Sequence, residues 1–166
     1  MLPFRLTLTT LVARKSWIFV FFTAILLPLT LPYLTTWESD YSLLEPARAQ
    51  VAWHVAWVIA VFWTFTQAAL LGEANSRTGL GAYFRSRGIS RMRQMFEIWL
   101  ACILFLLPVV AIAVVICLTM AMPADGTEAR MWVMTNLQFA ALFLLSVAPL
   151  ALLGVSLGSR FGALVG

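Results

Sequence analysis

The sequence predicts an all-α, polytopic membrane protein with four transmembrane helices and a short cytoplasmic helix between the second and the third. Hydrophobic residues make up 62% of the chain and charged residues only 11%, whereas roughly a quarter of the residues in soluble domains are charged. Four apolar runs are long enough to cross a hydrocarbon core of about 30 Å, which takes about 20 helical residues. They must be helical because an open strand edge in lipid leaves many backbone groups unpaired, each at a cost of several kcal/mol.

The four spans belong to one transmembrane domain. Their predicted limits are about 17–34, 51–71, 98–122 and 131–157. The start of the chain also has features of a signal peptide, with Arg14 and Lys15 ahead of an apolar run and Ala47-Arg48-Ala49 further on. That run is longer than the apolar region of a signal peptide, and the Ala-x-Ala sequence lies far behind it, so we interpret the run as the first span.

A short helix is predicted ahead of the first span. Leu2, Leu6, Leu8, Leu11 and Val12 recur at intervals that indicate an amphipathic helix lying on the inner membrane surface.

The basic residues predict the orientation. Nine of the 11 lysines and arginines precede the first span, lie between the second and third, or follow the fourth, whereas the opposite loops contain only Arg48 and Arg130. By the positive-inside rule both termini are then cytoplasmic. The net charge of +4 comes from this asymmetry, so it does not indicate a nucleic-acid partner.

The segment 73–97, here called the basic segment, contains five of the arginines. Leu80, Tyr83, Phe84 and Arg87 have the i, i+3, i+4, i+7 spacing of one helix face. Gly79 and Gly88 bracket that helix, and Gly88 suits a left-handed C-terminal cap. Ser90 then caps a new helix, whose apolar face of Met92, Met95, Phe96 and Trp99 leads into the third span. Two interpretations remain: a docking helix for a cytoplasmic subunit, or arginines that contact anionic headgroups.

The order of these features resembles the permeases of type-two ATP-binding-cassette (ABC) exporters. The matching residues are Glu73, Gly79-Leu80 and Gly88-Ile89-Ser90-Arg91, with Gly88 where proline is common in that family. The resemblance implies that residues 80–91 form a coupling helix that fits a groove on a cytoplasmic ABC ATPase subunit. On this basis the expected contact residues are Leu80, Tyr83, Phe84, Arg85, Arg87 and Arg91.

The end of the chain contains a row of glycines. Gly154, Gly158, Gly162 and Gly166 recur at every fourth position. As a single helix the stretch from Met131 to Gly166 would be about 54 Å long, beyond a bilayer. We therefore expect a turn near Gly158, combined with close helix packing, rather than a dedicated dimerisation motif. The resembled family has six spans, so residues 158–166 are expected to begin a further span and the chain to be part of a permease.

Polar residues are few within the spans. His54, Gln67, Asn136 and Gln138 are expected to bond between helices or, alternatively, to line a translocation path. With one histidine, two cysteines too far apart on one helix to pair and no acid in the middle of a span, we expect no catalytic residue, no metal site, no cofactor and no enzymatic activity.

The leading hypothesis is therefore a permease subunit of an ATP-driven exporter in the bacterial inner membrane. Its expected partners are the lipid bilayer, a cytoplasmic ABC ATPase and a second permease, alike or different. A non-transporting four-helix assembly or scaffold protein is the alternative. A lipid-modifying membrane enzyme is disfavoured because His, Asp and Glu do not cluster.

Overall fold

The computed structural model describes residues 2–35 and 44–161. Within these ranges the chain is helical and contains no strand, which confirms the predicted all-α class. The elements are α1 Leu2–Ala13, α2 Ser16–Thr35, α3 Leu44–Val58, a π-helical segment Ile59–Thr64, α4 Phe65–Arg77, α5 Leu80–Ser86, α6 Arg91–Met120 and α7 Gly126–Phe161.

Four helices are long and apolar enough to cross a membrane, as an integral membrane protein requires. They cover Ser16–Leu34, Pro46–Arg77, Arg91–Met120 and Gly126–Phe161. Each coincides with one of the predicted spans, so the number and order of the spans are confirmed. The second span is continuous through α3, the π-helical segment and α4. The second and fourth helices extend beyond both predicted apolar limits, because a helix can continue past the hydrocarbon boundary into charged residues. The third helix begins earlier than predicted, at Arg91, and ends at Met120, two residues before the predicted limit.

The π-helical segment Ile59–Thr64 is a feature that the sequence did not predict. Ile59, Ala60 and Thr64 are buried there, and Thr64 Oγ1 has no hydrogen-bond partner. A π-helical turn shifts the register of the helix by adding a residue to the turn. Apolar periodicity varies little across one such turn, so no signal in the sequence marks it.

The N-terminal helix α1 is present, but its buried face differs from the predicted one. Pro3, Thr7 and Leu11 are buried, whereas Leu2 and Leu6 are exposed. Part of the predicted row, Leu2, Leu6 and Val12, is exposed, because α1 packs on α6 through the side that carries Leu11. There the backbone N–H of Phe4 donates to Glu97 Oε2 at 3.1 Å. A left-handed Lys15, with φ of 56°, then separates α1 from α2.

Helices α4 and α7 approach closely through glycines. A Cβ added at Gly158 would lie 2.0 Å from the Ala69 carbonyl oxygen, and one at Gly154 would lie 3.0 Å from that of Phe65. Gly72 on α4 packs in the same way against Val155 of α7. Gly154 and Gly158 therefore pack closely, in a contact within the chain.

The turn expected near Gly158 is absent. Helix α7 continues to Phe161, so Gly158 packs within a helix and does not end one. A helix of 36 residues is about 54 Å long, and the part beyond the bilayer carries Arg160 in its last turn, where a cation favours the helix C-terminus. Gly162 and the rest of the predicted further span lie outside the described residues.

The main core lies between α2, α3, α6 and α7. Its buried members are mostly small or β-branched, such as Ala56, Ala60, Val109, Ala113 and Val147. Small residues let backbones approach closely, which is how helices gain packing energy where burial from water contributes little. Large apolar side chains instead lie on the outside of the bundle, among them Phe19, Phe62 and Leu145.

Candidate partner-docking site

The basic segment contains the end of α4, the short helix α5 and the start of α6, and a tight turn separates α5 from α6 as the sequence predicted. Gly79 and Gly88 both adopt positive φ values, 78° and 76°, at the two ends of α5. Ser90 caps α6, because its side chain accepts a hydrogen bond from the backbone N–H of Arg93. Arg77 pairs with Glu73 at 2.7 Å, one helical turn apart.

Helix α5 is held by Gln94, a residue that sequence reasoning missed. Gln94 is fully buried, and its Nε2 donates to the carbonyls of Ile89 at 2.9 Å and Gly81 at 3.3 Å. Its Oε1 accepts from Asn75 Nδ2 at 3.0 Å. One amide therefore links α4, α5, the following turn and α6.

Gly81 allows this close arrangement. A Cβ at Gly81 would lie 2.7 Å from the Asn75 carbonyl oxygen, so no larger residue fits without moving α5 away from α4. The signal that could have identified Gln94 is its position on the face that continues through Glu97, Ile98 and Ala101, all buried. A polar residue on that face needs partners inside the protein.

Phe84 does not lie where a partner could bind it. Its side chain is 3% exposed. With Pro3, Leu71 and Ile98 it lines a cavity of about 140 Å³ between α1, α4, α5 and α6. The prediction that Phe84 enters a partner's groove is therefore wrong for the chain as it is folded. The i, i+4 spacing identified one helix face correctly, but did not distinguish docking on α1 from docking on another protein.

The other predicted contact residues divide by exposure. Tyr83 is 47% exposed, and Arg85, Arg87 and Arg91 are exposed as well. The guanidinium of Arg87 lies over the Tyr83 ring, 5.4 Å from the ring centroid. Leu80 is half-buried and lines the cavity under α5. The outward surface of α5 thus combines one aromatic ring with arginines.

The polar residues within the spans also divide. Asn136 is buried, its Oδ1 accepts from Trp53 Nε1 at 3.0 Å, and this bond between α3 and α7 is of the predicted interhelical kind. Gln67 is buried and accepts from Arg14 at 2.8 Å. Asn136 thus holds α3 against α7, and Gln67 holds α4 against the turn between α1 and α2.

His54 and Gln138 behave differently. Both are exposed on the bundle surface. The His54 ring nitrogen Nδ1 lies 2.7 Å from the Gln50 carbonyl oxygen, one turn earlier on the same helix. His54 therefore contacts its own helix here, and not a neighbouring helix as predicted. The described part of the chain brings neither residue together with Gln67 or Asn136 into one channel.

Comparisons with known proteins found no similar protein. A scan against protein-family models, a search of curated proteins and a search of solved structures each gave no match.

Proposed function

We propose that this chain is a membrane subunit that docks a cytoplasmic ATPase through the outward surface of α5, as the permease of an ABC exporter does. The observation that carries the proposal is the way α5 is mounted. A short helix with an exposed aromatic ring and arginines is fixed at the junction of two spans. Such a helix can receive a force and pass it on.

The Asn75–Gln94–Gly81 link supports this mechanical role. Asn75 belongs to α4, the end of the second span, and Gln94 to α6, the start of the third. Because Gln94 bonds to both sides of α5, a displacement of α5 is delivered to both spans rather than absorbed by a loose connection. ATP-driven rearrangement in a partner would reach the bundle by this route.

The composition of the α5 surface fits a protein partner. Tyrosine and arginine are enriched among the residues that dominate binding energy at protein interfaces. The Arg87 guanidinium over the Tyr83 ring orients both side chains before a partner arrives, which lowers the entropy lost on binding. Arg85 adds positive charge that would favour an acidic groove.

Orientation follows from the basic residues. We place the basic segment and both termini in the cytoplasm, and the protein in a bacterial inner membrane, because the positive-inside rule applies to the nine-to-two distribution of lysine and arginine.

A translocation path, on this proposal, lies between two permease subunits, alike or different. Asn136 and Gln67 are occupied by bonds within the described chain, whereas His54 and Gln138 face outward. Outward polar residues at membrane depth are costly in lipid, so a second subunit is a favourable neighbour for them.

Co-purification tests the proposal. Tagged protein from its native membrane should bring down an ATPase with a P-loop sequence, and Tyr83→Ala should remove it while the membrane protein stays folded. Losing a central aromatic anchor costs about 2 kcal/mol or more, roughly a thirtyfold loss of affinity. Arg85→Ala should weaken association mildly and more at low salt. Phe62→Ala, at an exposed aromatic residue in the second span, is the matched control.

The results separate the alternatives. If wild type brings down no ATPase, or if Tyr83→Ala retains as much as Phe62→Ala, the proposal fails. Additive losses of membrane association with each arginine removed, and no effect of Tyr83→Ala, would support headgroup contact instead.

A non-transporting assembly protein is the second candidate. The observation that favours it is that the buried amides Gln67 and Asn136 hold helices together instead of facing an internal path. An α5 partner without ATP hydrolysis would support this second candidate.

A further inference from the structure

A cavity between the start of α6 and the end of α7 has the polarity of a lipid site. Its volume is about 410 Å³, and its lining comprises Arg91, Met92, Met95, Phe96, Leu152, Ser156, Ser159 and Arg160. Two arginines and two hydroxyls thus share one cavity with four apolar side chains. It is separate from the cavity under α5 and contains none of that cavity's residues.

The polar and apolar parts are ordered along the helices. Arg91 is the first residue of α6, and Arg160 lies in the last turn of α7. Leu152 is eight residues before Arg160, a distance of about 12 Å along the helix axis. The cavity therefore changes from cationic to apolar over about 12 Å, starting at the ends of two membrane-length helices. Headgroups give way to acyl chains over a similar depth.

The two arginines define the charge of the ligand. Both side chains are exposed at the end of the cavity, and a guanidinium matches a phosphate with two parallel hydrogen bonds. The positive end of the α6 dipole lies at Arg91 and the negative end of the α7 dipole at Arg160, so the two helix ends offset each other and the arginines determine the charge.

The serines and the apolar side chains indicate the other features of the ligand. The hydroxyls of Ser156 and Ser159 donate to the carbonyls of Leu152 and Ser156, both at 2.9 Å, so their oxygens can still accept. Met92 and Phe96 are 78% and 54% exposed, which leaves apolar surface for an acyl chain. A small anion would leave that surface uncovered.

We propose that this α6–α7 cavity binds one anionic phospholipid. Its phosphate lies between Arg91 and Arg160, and the part of an acyl chain nearest the headgroup lies against Met95, Phe96 and Leu152. The bilayer is the source of the ligand. The site does not depend on the partner proposed for α5, and either proposal can fail while the other stands.

Native mass spectrometry of purified protein with added lipid tests the site. Wild type should retain one phosphatidylglycerol in preference to phosphatidylcholine with the same acyl chains. Arg91→Gln and Arg160→Gln should each weaken phosphatidylglycerol binding about fivefold. The double variant should lose most of the preference for phosphatidylglycerol over phosphatidylcholine. Arg5→Gln, at an exposed arginine of α1, is the control for general surface charge.

A second variant separates a built cavity from diffuse attraction. Ser156→Phe fills the cavity and keeps both arginines, so it should remove the retained lipid, whereas Ser146→Phe, at an exposed position of the same helix, should not. Thermal unfolding of each variant verifies the fold.

Three results would overturn the proposal: equal retention of the two lipids by wild type, full retention by Ser156→Phe, or an equal loss in Arg5→Gln. Inorganic phosphate provides the last arm. Inorganic phosphate should displace phosphatidylglycerol only weakly, since it lacks the acyl chain. Displacement by phosphate at the same concentration as the lipid would show that the site recognises phosphate alone and would contradict a lipid site.

Discussion

The contact between α4 and α7 leaves less room for a side chain at Gly158 than at any other described glycine. An added Cβ would lie 2.0 Å from the Ala69 carbonyl oxygen and 2.7 Å from its carbonyl carbon, whereas ordinary contact begins at 3.4 Å. The obstacle is backbone, which cannot rotate away as a side chain can. Gly158→Ala therefore has to push α4 and α7 apart by about 1.4 Å locally, the difference between 3.4 Å and 2.0 Å.

The energetic consequence follows from packing. A gap of 0.5–1 Å already forfeits about a quarter to a half of each dispersion contact, and overpacked sites typically cost about 1–3 kcal/mol. Alanine regains up to about 1 kcal/mol of helix propensity over glycine. We therefore expect Gly158→Ala to lower the free energy of unfolding by about 1–2 kcal/mol, and Gly158→Leu to lower it further.

The assay is unfolding in detergent by titration with SDS, followed by the fluorescence of the tryptophans, of which the chain has seven. Gly126→Ala is the matched control, because it is a helical glycine of α7 with nothing within 4 Å of an added Cβ. Equal unfolding midpoints for Gly158→Ala and Gly126→Ala would refute the close contact of α4 with α7.

Two further predictions concern the basic segment. Gln94→Leu leaves the Gly81 and Ile89 carbonyls and the Asn75 amide without their partner, at a local cost of about 2 kcal/mol, so trypsin should cleave at Arg85 and Arg87 roughly thirtyfold faster. Gln138→Leu, at an exposed glutamine, should not change that rate, and equal rates for the two variants would contradict the bracing role. For topology, single cysteines at positions 86 and 127, in a background without Cys102 and Cys117, should react with an impermeant reagent from outside only at 127. Outside labelling of Ser86→Cys would reverse the proposed orientation.

The architecture was predictable because it depends on composition and length. Runs of apolar residues that exceed the bilayer thickness produce spans whatever their partners are, and the structure contains helices at all four predicted runs. Local turn chemistry was equally accessible. Gly88 and Ser90 act through their own backbone and nearest neighbours, so their roles as a left-handed position and as a helix cap could be deduced from residue type.

Helix-face assignments failed where several apolar surfaces compete. In α1 Leu2 and Leu6 are exposed. Pro3, Thr7 and Leu11 are buried instead, because α1 packs on α6 through contacts far apart in the sequence. In a membrane protein an apolar side chain is stable on either side of a helix, so apolar periodicity alone does not identify the buried face. For Phe84 the sequence did not distinguish packing inside the protein from contact with a partner.

The bracing of α5 could not be deduced because it depends on three-dimensional proximity. Asn75, Gly81 and Gln94 are separated in the sequence and meet only when α4 and α6 pack side by side. Their residue types are common in loops and helices, and each is compatible with solvent exposure. Burial of Gln94 turns that amide into a structural link.

Site-specific photo-crosslinking tests the central claim, that the outward surface of α5 docks a cytoplasmic ATPase. A photoreactive phenylalanine analogue would replace Tyr83 or, as the control, Phe62, both exposed aromatic residues. After irradiation of intact cells, the account predicts a protein adduct at position 83 whose sequence contains a P-loop, and only lipid adducts at position 62. Lipid adducts alone at position 83 would contradict it.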